Sequence, residues 1–170
     1  MSLMMELRPE FGPALVIGGG PVAARKVRSL LDGRFAVTVV SPELGQELAG
    51  MDGYVHEARA FAPGDTGAFA LVFACTGDRD VNHNAGEEAR QAGKPVLVAD
   101  EQAESTFFSP AVHRDGDLAV AISTGGASPG LARELRDRVS ECLGTGWAGR
   151  IAAARDERQA RLKHTWPEDA

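Results

Sequence analysis

The chain has 170 residues, of which 44% are hydrophobic and 25% charged, and it carries a formal net charge of −6. This length predicts one domain with a modest appendage, and the apolar content excludes a disordered chain. The acidic balance disfavours nucleic acid and anionic membrane surfaces as partners, and no apolar run approaches the roughly 20 residues that span a bilayer, so we expect a cytoplasmic protein.

The cysteines and histidines predict neither a disulfide framework nor a metal site. Cys75 and Cys142 lie far apart and form no CxxC pair, which is typical of a protein in a reducing compartment. The four histidines are scattered, and none pairs with another histidine or a cysteine at metal-ligand spacing.

Strands and helices alternate in the predicted elements up to residue 100. Apolar runs predict strands at 14–18, 36–40, 69–76 and 94–100, a weaker strand at 54–58, and helices at 22–31 and 81–93. Strands that are apolar on both faces and separated by helices are typical of a parallel sheet with helices on both sides. The sequence therefore predicts a doubly wound α/β domain.

The pattern changes after residue 102. Residues 106–124 form two extended segments on either side of Asp115-Gly116, a preferred turn of a tight antiparallel hairpin. Ser128 and Pro129 then begin a predicted helix, and a second, polar helical stretch follows from Trp147. An apolar hairpin that projects from a domain is an edge that a second copy could cover, so we expect it to dimerise the chain.

A glycine-rich loop joins the first strand to the first helix. It contains Gly18, Gly19, Gly20, Pro21, Val22 and Ala23. In this Gly-x-Gly-x-x-Ala pattern the first glycine permits a tight turn, the second lets a phosphate approach the backbone, and the alanine allows close helix–strand packing. The helix N-terminus would then face the pyrophosphate of a dinucleotide; a tight turn without a ligand is the alternative.

The end of the second strand indicates which dinucleotide binds. Ser41, Pro42 and Glu43 lie there, and no Lys or Arg occurs between Ser41 and His56 to pair with the 2′-phosphate of NADP. No acid occupies the usual ribose-binding position at the end of this strand, but Ser41 or Glu43 could substitute for it, and the sequence favours NAD.

Three residues at the C-terminal end of the predicted fourth strand are also predicted to line the cofactor. They are Thr76, Gly77 and Asp78, at the edge of the sheet where the ligand crevice opens. For Asp78, capping of the next helix is an equally good interpretation.

Four segments occur in a distinctive order: GGGPVAARK, ACTGDRDVN, VLVADEQAESTFFSPAV and AISTGGASPGLAR. Together, over about residues 12–143, they resemble the precorrin-2 dehydrogenase family, the dehydrogenase module of siroheme synthases. The resemblance implies a Rossmann-type domain, NAD-dependent oxidation of the tetrapyrrole precorrin-2 to sirohydrochlorin, a homodimer, and a substrate cleft between the nucleotide domain and the C-terminal elements. Some members also insert iron, so a bifunctional dehydrogenase and ferrochelatase is one alternative; a non-catalytic NAD-sensing module is another.

The family's essential acid aligns with Asp100. This residue ends the predicted fifth strand, so its carboxylate would reach the edge where ligands of open α/β sheets bind. We expect its carboxylate to accept a proton from the macrocycle while a hydride passes to the nicotinamide. A turn or helix-cap role is the alternative.

A polar turn before the first C-terminal helix is the candidate site for the substrate's carboxylates. The residues assigned to the substrate are Thr124, Gly125, Gly126, Ser128, His113 and Arg133. A helix N-terminus binds anions, although simple capping by Ser128 is compatible with the same pattern, and solvent exposure is the alternative for His113 and Arg133. We therefore divide the chain into an N-terminal segment (1–11), an NAD-binding domain (12–102), a hairpin (103–127) and a helical C-terminal region (128–170).

Overall fold

The computed structural model describes residues 3–165, with side chains to residue 162. Contacts divide the chain into two compact units, the first ending at Phe108 and the second beginning at Ser109. Within the described range, no helix is both long and apolar enough to cross a membrane.

The first unit contains a five-stranded, fully parallel sheet. Its strands are β1 (Ala14–Ile17), β2 (Val37–Val40), β3 (Val55–Glu57), β4 (Leu71–Ala74) and β5 (Val96–Val98), in the order β3-β2-β1-β4-β5. Its helices are α1 (Pro21–Asp32), α2 (Gln46–Ala49) and α3 (Arg79–Gln91). The predicted parallel α/β domain is confirmed.

The strands are shorter than predicted, because apolar runs continue into buried connecting residues. Cys75 is 5% exposed, yet it follows the last paired residue of β4. Asp100, which was predicted as the last residue of the fifth strand, lies two residues beyond the end of β5. The helix α2 was not predicted, since its four residues are too few to form a periodic pattern.

Helices cover both faces of the sheet, as predicted. On one face, Val16 of β1 packs in a cluster with Val27 and Leu30 of α1. On the other face, Leu15 packs in a cluster with Ala85 and Ala89 of α3. Successive side chains of β1 therefore enter different cores, which requires a strand that is apolar at every position.

The direction of winding reverses between β1 and β4. The chain passes from β1 to β2 and β3 on one side, and then returns to the other side of β1 to form β4 and β5. Ile17, the last residue of β1, pairs with Val40 of β2 and Ala74 of β4, so the loops after these strands leave the sheet at one edge. Such a switch point is where open α/β sheets bind ligands.

The second unit contains the predicted hairpin and two helices. The strands β6 (Ala111–Asp115) and β7 (Leu118–Ile122) are antiparallel, and α4 (Pro129–Leu143) and α5 (Trp147–Thr165) follow. The turn residues are Gly116 and Asp117, one position later than predicted, because Asp115 pairs with Leu118. The Asp115 carboxylate also accepts a hydrogen bond from the Trp147 amide at 2.8 Å, which ties the hairpin to the start of α5.

Candidate functional site

The first two glycines of the glycine-rich loop are required by contacts inside the protein. Gly18 has φ +116°, and a Cβ there would lie 2.6 Å from the carbonyl oxygen of Cys75. A Cβ on Gly19 would lie 2.0 Å from the carbonyl oxygen of Glu43. The loop is thus packed between the segments that follow β2 and β4.

Gly20 differs from both, because a Cβ there would meet no atom of the described residues within 4 Å. Its φ of −83° is also ordinary for any residue. The protein's own packing therefore gives no reason for a glycine at this position. A ligand that must come close to the backbone does give one.

The start of α1 offers hydrogen-bond donors beside Gly20. Gly20 is the N-cap, and the first intrahelical bond runs from the Ala24 amide to the Gly20 carbonyl at 3.0 Å. The amides of Val22 and Ala23 precede that bond and have no intrahelical acceptor. These donors, the positive end of the helix dipole and the open space at Gly20 fit a pyrophosphate group.

The segment after β2 contributes one exposed acid. The Ser41 side chain is buried, and its hydroxyl donates to the Glu43 carbonyl oxygen at 2.7 Å. The Gly45 amide donates to the Gly19 carbonyl at 2.8 Å, which ties this segment to the glycine loop. Pro42 and Glu43 are exposed, so the Glu43 carboxylate is better placed than the Ser41 hydroxyl to meet a ribose.

The segment after β4 is held by Asn82, a residue that the sequence analysis did not single out. Asn82 is fully buried in α3; its Oδ1 accepts from the Thr76 amide at 2.9 Å, and its Nδ2 donates to the Thr76 carbonyl at 3.1 Å. Asp78 caps α3 by accepting from the amides of Asp80 and Val81. Its carboxylate therefore has the capping role given above as the alternative. A polar residue at a core-facing position of α3 was the available signal for Asn82.

Replacing Asn82 by alanine is expected to lower the free energy of unfolding by about 1–3 kcal/mol, because the Thr76 amide and carbonyl lose their partners in a half-buried loop. Urea denaturation measures this change. Asn84 is exposed on the same helix, so Asn84→Ala is the matched control and should change stability by less than about 0.5 kcal/mol. Equal effects of the two substitutions would contradict the assigned role of Asn82.

Asp100 lies at the same edge of the sheet as the glycine loop. The strand β5 pairs with β4, and the Ala99 amide donates to the Ala74 carbonyl at 2.9 Å, so Asp100 and Cys75 follow adjacent residues of neighbouring strands. Burial raises the pKa of the Cys75 thiol to about 12. The carbonyl of Cys75 in turn lies against Gly18. The Asp100 side chain is 37% exposed, and its Oδ1 lies 3.7 Å from Nη1 of Arg79.

A cation lies on the α1 side of the same thiol. Lys26 is half-buried, burial lowers its pKa, and its charge interacts with Cys75. The carboxyl end of the sheet is thus followed by a carboxylate, Asp100 after β5, and by an ammonium group, Lys26 in α1. A carboxylate can take up a proton, and an ammonium group attracts anionic ligands.

In the second unit, the predicted anion site is an ordered turn at the start of α4. The Thr124 hydroxyl accepts from the Ser128 amide at 3.0 Å, and the Ser128 hydroxyl accepts from the Leu131 amide at 3.2 Å. Ser128 is thus the N-cap of α4. Gly125 and Gly126 have φ values of +63° and +84°, which glycine adopts readily.

The remaining substrate candidates have different surroundings. Arg133 is exposed on α4. His113 lies within β6, where it pairs with Val120, and its buried Nε2 has no hydrogen-bond partner among the described residues. Within residues 3–162, no group of three or more His, Cys, Asp or Glu side chains could hold a metal ion.

Family models match both units of the chain. A model described as "Putative NAD(P)-binding" matches residues 4–111, and one described as "Sirohaem biosynthesis protein central" matches residues 115–141. The first match covers the sheet, the glycine loop and Asp100, and the second covers most of the hairpin and α4.

Curated relatives and one solved structure agree with these matches. Siroheme synthase from Thioalkalivibrio sulfidiphilus is 40% identical over 157 residues, which are 91% of this chain and 32% of the relative. Siroheme synthase from Methylobacillus flagellatus is 40% identical over 166 residues, which are 96% of this chain and 35% of the relative. The chain thus spans about a third of the length of these relatives.

The structure titled "SirC, precorrin-2 dehydrogenase" has the same fold, with a TM-score of 0.70 at 24% identity, covering 88% of this chain and 74% of that one. The matches also confirm the family resemblance of the four sequence segments. Most of this chain is similar to a segment that makes up about one third of the length of these siroheme synthases. The chain belongs to the NAD(P)-binding family whose model spans its residues 4–111.

Proposed function

We propose that the chain is an NAD-dependent dehydrogenase that oxidises precorrin-2 to sirohydrochlorin. One observation carries this proposal: the open space at Gly20 and the carboxylate of Asp100 lie at one edge of the sheet, because the glycine loop packs on Cys75 after β4 and Asp100 follows the neighbouring strand β5. The similarity to siroheme synthases and the shared fold with SirC support this substrate class.

The glycine loop and the segment after β2 would hold the cofactor. The amides of Val22 and Ala23 would bind the pyrophosphate, and the exposed Glu43 would accept hydrogen bonds from the ribose hydroxyls. The absence of Lys and Arg between Ser41 and His56 supports NAD over NADP. When bound, NAD would accept the hydride that the substrate loses.

Asp100 would take up the proton that the same oxidation releases. Each turnover removes one hydride and one proton from the reduced macrocycle, and a new double bond forms in the ring. The Asp100 carboxylate is partly exposed, so it can reach a substrate proton and return it to water afterwards. The cation of Lys26 would attract the carboxylates of the substrate.

The second unit would bind further substrate carboxylates and form the homodimer. The turn from Thr124 to Ser128 at the start of α4 is suited to an anion, and Arg133 is exposed nearby on that helix. Leu131 and Leu135 are 46% and 37% exposed on α4, an apolar surface that a second copy could cover. The two free cysteines support a reducing compartment, the cytoplasm. In this proposal residues 12–102 are the NAD-binding domain, residues 103–127 the hairpin and residues 128–170 the helical C-terminal region.

Turnover of precorrin-2 with NAD tests the proposed function. We expect reduced nicotinamide, measured by its absorbance, and sirohydrochlorin to form in equal amounts. With NADP in place of NAD, the reaction should be much slower. NAD binding without turnover would refute the proposed dehydrogenase activity and would favour the alternative, a non-catalytic module that senses NAD. Supplying sirohydrochlorin with ferrous iron separately tests whether the protein also inserts the metal.

A further inference from the structure

We propose that Arg79 is a positioning residue for Asp100, and that Glu104 holds Arg79 in place for this task. The inference rests on the proposed function, because it takes Asp100 as the group that accepts the substrate's proton. It assigns a role to two residues that the glycine loop and the anion-binding turn do not involve.

The Arg79 guanidinium connects two parts of the chain that follow β5. Arg79 is the first residue of α3, and its Nη1 lies 3.7 Å from Oδ1 of Asp100. Its Nη2 donates to Oε1 of Glu104. The two nitrogens of one planar, rigid group thus face two different carboxylates, which a single ammonium group does less well.

Glu104 is a firm anchor because three side chains of α3 converge on it. Besides Arg79, His83 places Nδ1 at 2.8 Å from Oε1 of Glu104, and Arg90 donates to its backbone oxygen at 2.5 Å. The Glu104 side chain is 18% exposed. The hydrogen bond from Arg79 holds the pKa of Glu104 below its usual range, and the same bond raises the pKa of Arg79. The Glu104 carboxylate and the Arg79 guanidinium are therefore both charged.

The contact with Asp100 orients this carboxylate without occupying it. At 3.7 Å the Arg79–Asp100 pair is an ion pair rather than a hydrogen bond. The oxygens of the Asp100 carboxylate thus remain available to a substrate proton. The positive charge of Arg79 restricts the rotamers that the Asp100 side chain adopts. The exposed Arg79–Asp100 pair contributes little to stability, and Glu104 keeps its contacts with His83 and Arg90 when Arg79 is replaced. Arg79→Gln should therefore leave the fold intact, which urea denaturation checks.

Arg79→Gln tests the inference through steady-state kinetics with precorrin-2 and NAD. We expect kcat to fall about 10- to 100-fold, the range for a misplaced catalytic group, with the KM for NAD unchanged. Arg79→Lys retains the charge but loses the rigid fork, so its kcat should be intermediate. Arg28→Gln is the matched control, because Arg28 forms a comparably exposed ion pair with Glu47 at 3.0 Å; it should behave like the wild type.

A double substitution separates positioning from a general structural role. If Arg79 acts through Asp100, Arg79→Gln should have no further effect on the residual activity of Asp100→Asn. A further loss in that background, or a wild-type kcat in Arg79→Gln alone, would overturn the inference.

Crystal structures of the wild type and Arg79→Gln give a readout that does not depend on turnover. We expect the Asp100 carboxylate to change its position or to become disordered in the variant, and an unchanged carboxylate would overturn the inference. A wild type that does not oxidise precorrin-2 would refute the proposed function instead, and these structures would still test the contact.

Discussion

Asp100→Asn is expected to lower kcat for precorrin-2 oxidation by about 10²- to 10⁴-fold, the usual contribution of a general base. The amide has nearly the shape of the carboxylate but cannot take up the proton. Since Asp100 is partly exposed and its ion pair with Arg79 is long, NAD affinity and the free energy of unfolding should stay near wild-type values. Reduced nicotinamide absorbance, calorimetry with NAD and urea denaturation measure the three quantities.

The neighbouring acid supplies the matched control for this prediction. The Glu101 side chain accepts a hydrogen bond from the Ala103 amide at 3.1 Å, and a glutamine there can still accept it. Glu101→Gln removes the same charge one residue away and should leave kcat unchanged. Wild-type turnover by Asp100→Asn, or equal losses in both variants, would remove Asp100 from the proposed chemistry.

Gly20→Val is expected to weaken NAD binding by about 5- to 150-fold while the domain still folds. A Cβ at Gly20 meets no atom within 4 Å in the part of the chain that the structure describes, so the valine side chain is accommodated there and occupies the space proposed for the pyrophosphate. Overpacking of a fitted contact costs about 1–3 kcal/mol, which corresponds to this change in affinity. Calorimetry with NAD measures the affinity, and circular dichroism follows the fold.

Two further glycines make the Gly20 prediction specific. Gly67 also has open space around its Cβ position, but it lies in the short 3₁₀ turn at Asp65–Ala68 that precedes β4. That turn is at the opposite end of the strand from the crevice, so Gly67→Val should leave NAD affinity unchanged. Gly19→Ala would place a Cβ 2.0 Å from the Glu43 carbonyl, so it should lower stability instead. Retained NAD affinity in Gly20→Val would refute the proposed cofactor site.

The sequence by itself determined the longer elements, though not their exact ends or the short helix α2, and the kind of loop between them. Residues 14–17 are apolar at every position because β1 is buried on both faces, and that pattern is visible without knowing what covers them. The glycine loop and the hairpin were also predictable, since each depends on neighbours within a few positions. Asp78 is a local feature that the sequence determined only in part. The residue type suggested two roles, cofactor binding and capping of α3, and the hydrogen bonds in the structure show the capping role.

The tertiary structure alone decided which distant side chains meet. Arg79 and Glu104 are 25 positions apart, and their contact exists because α3 and the segment after β5 pack together. Nothing in the residue types shows that the Ser41 hydroxyl is used inside its own segment, or that Gly20 faces open space whereas Gly19 does not. Periodicity along a chain encodes which face of an element is buried, but the identity of the group across the interface depends on strand order, and strand order is set by packing of the whole sheet.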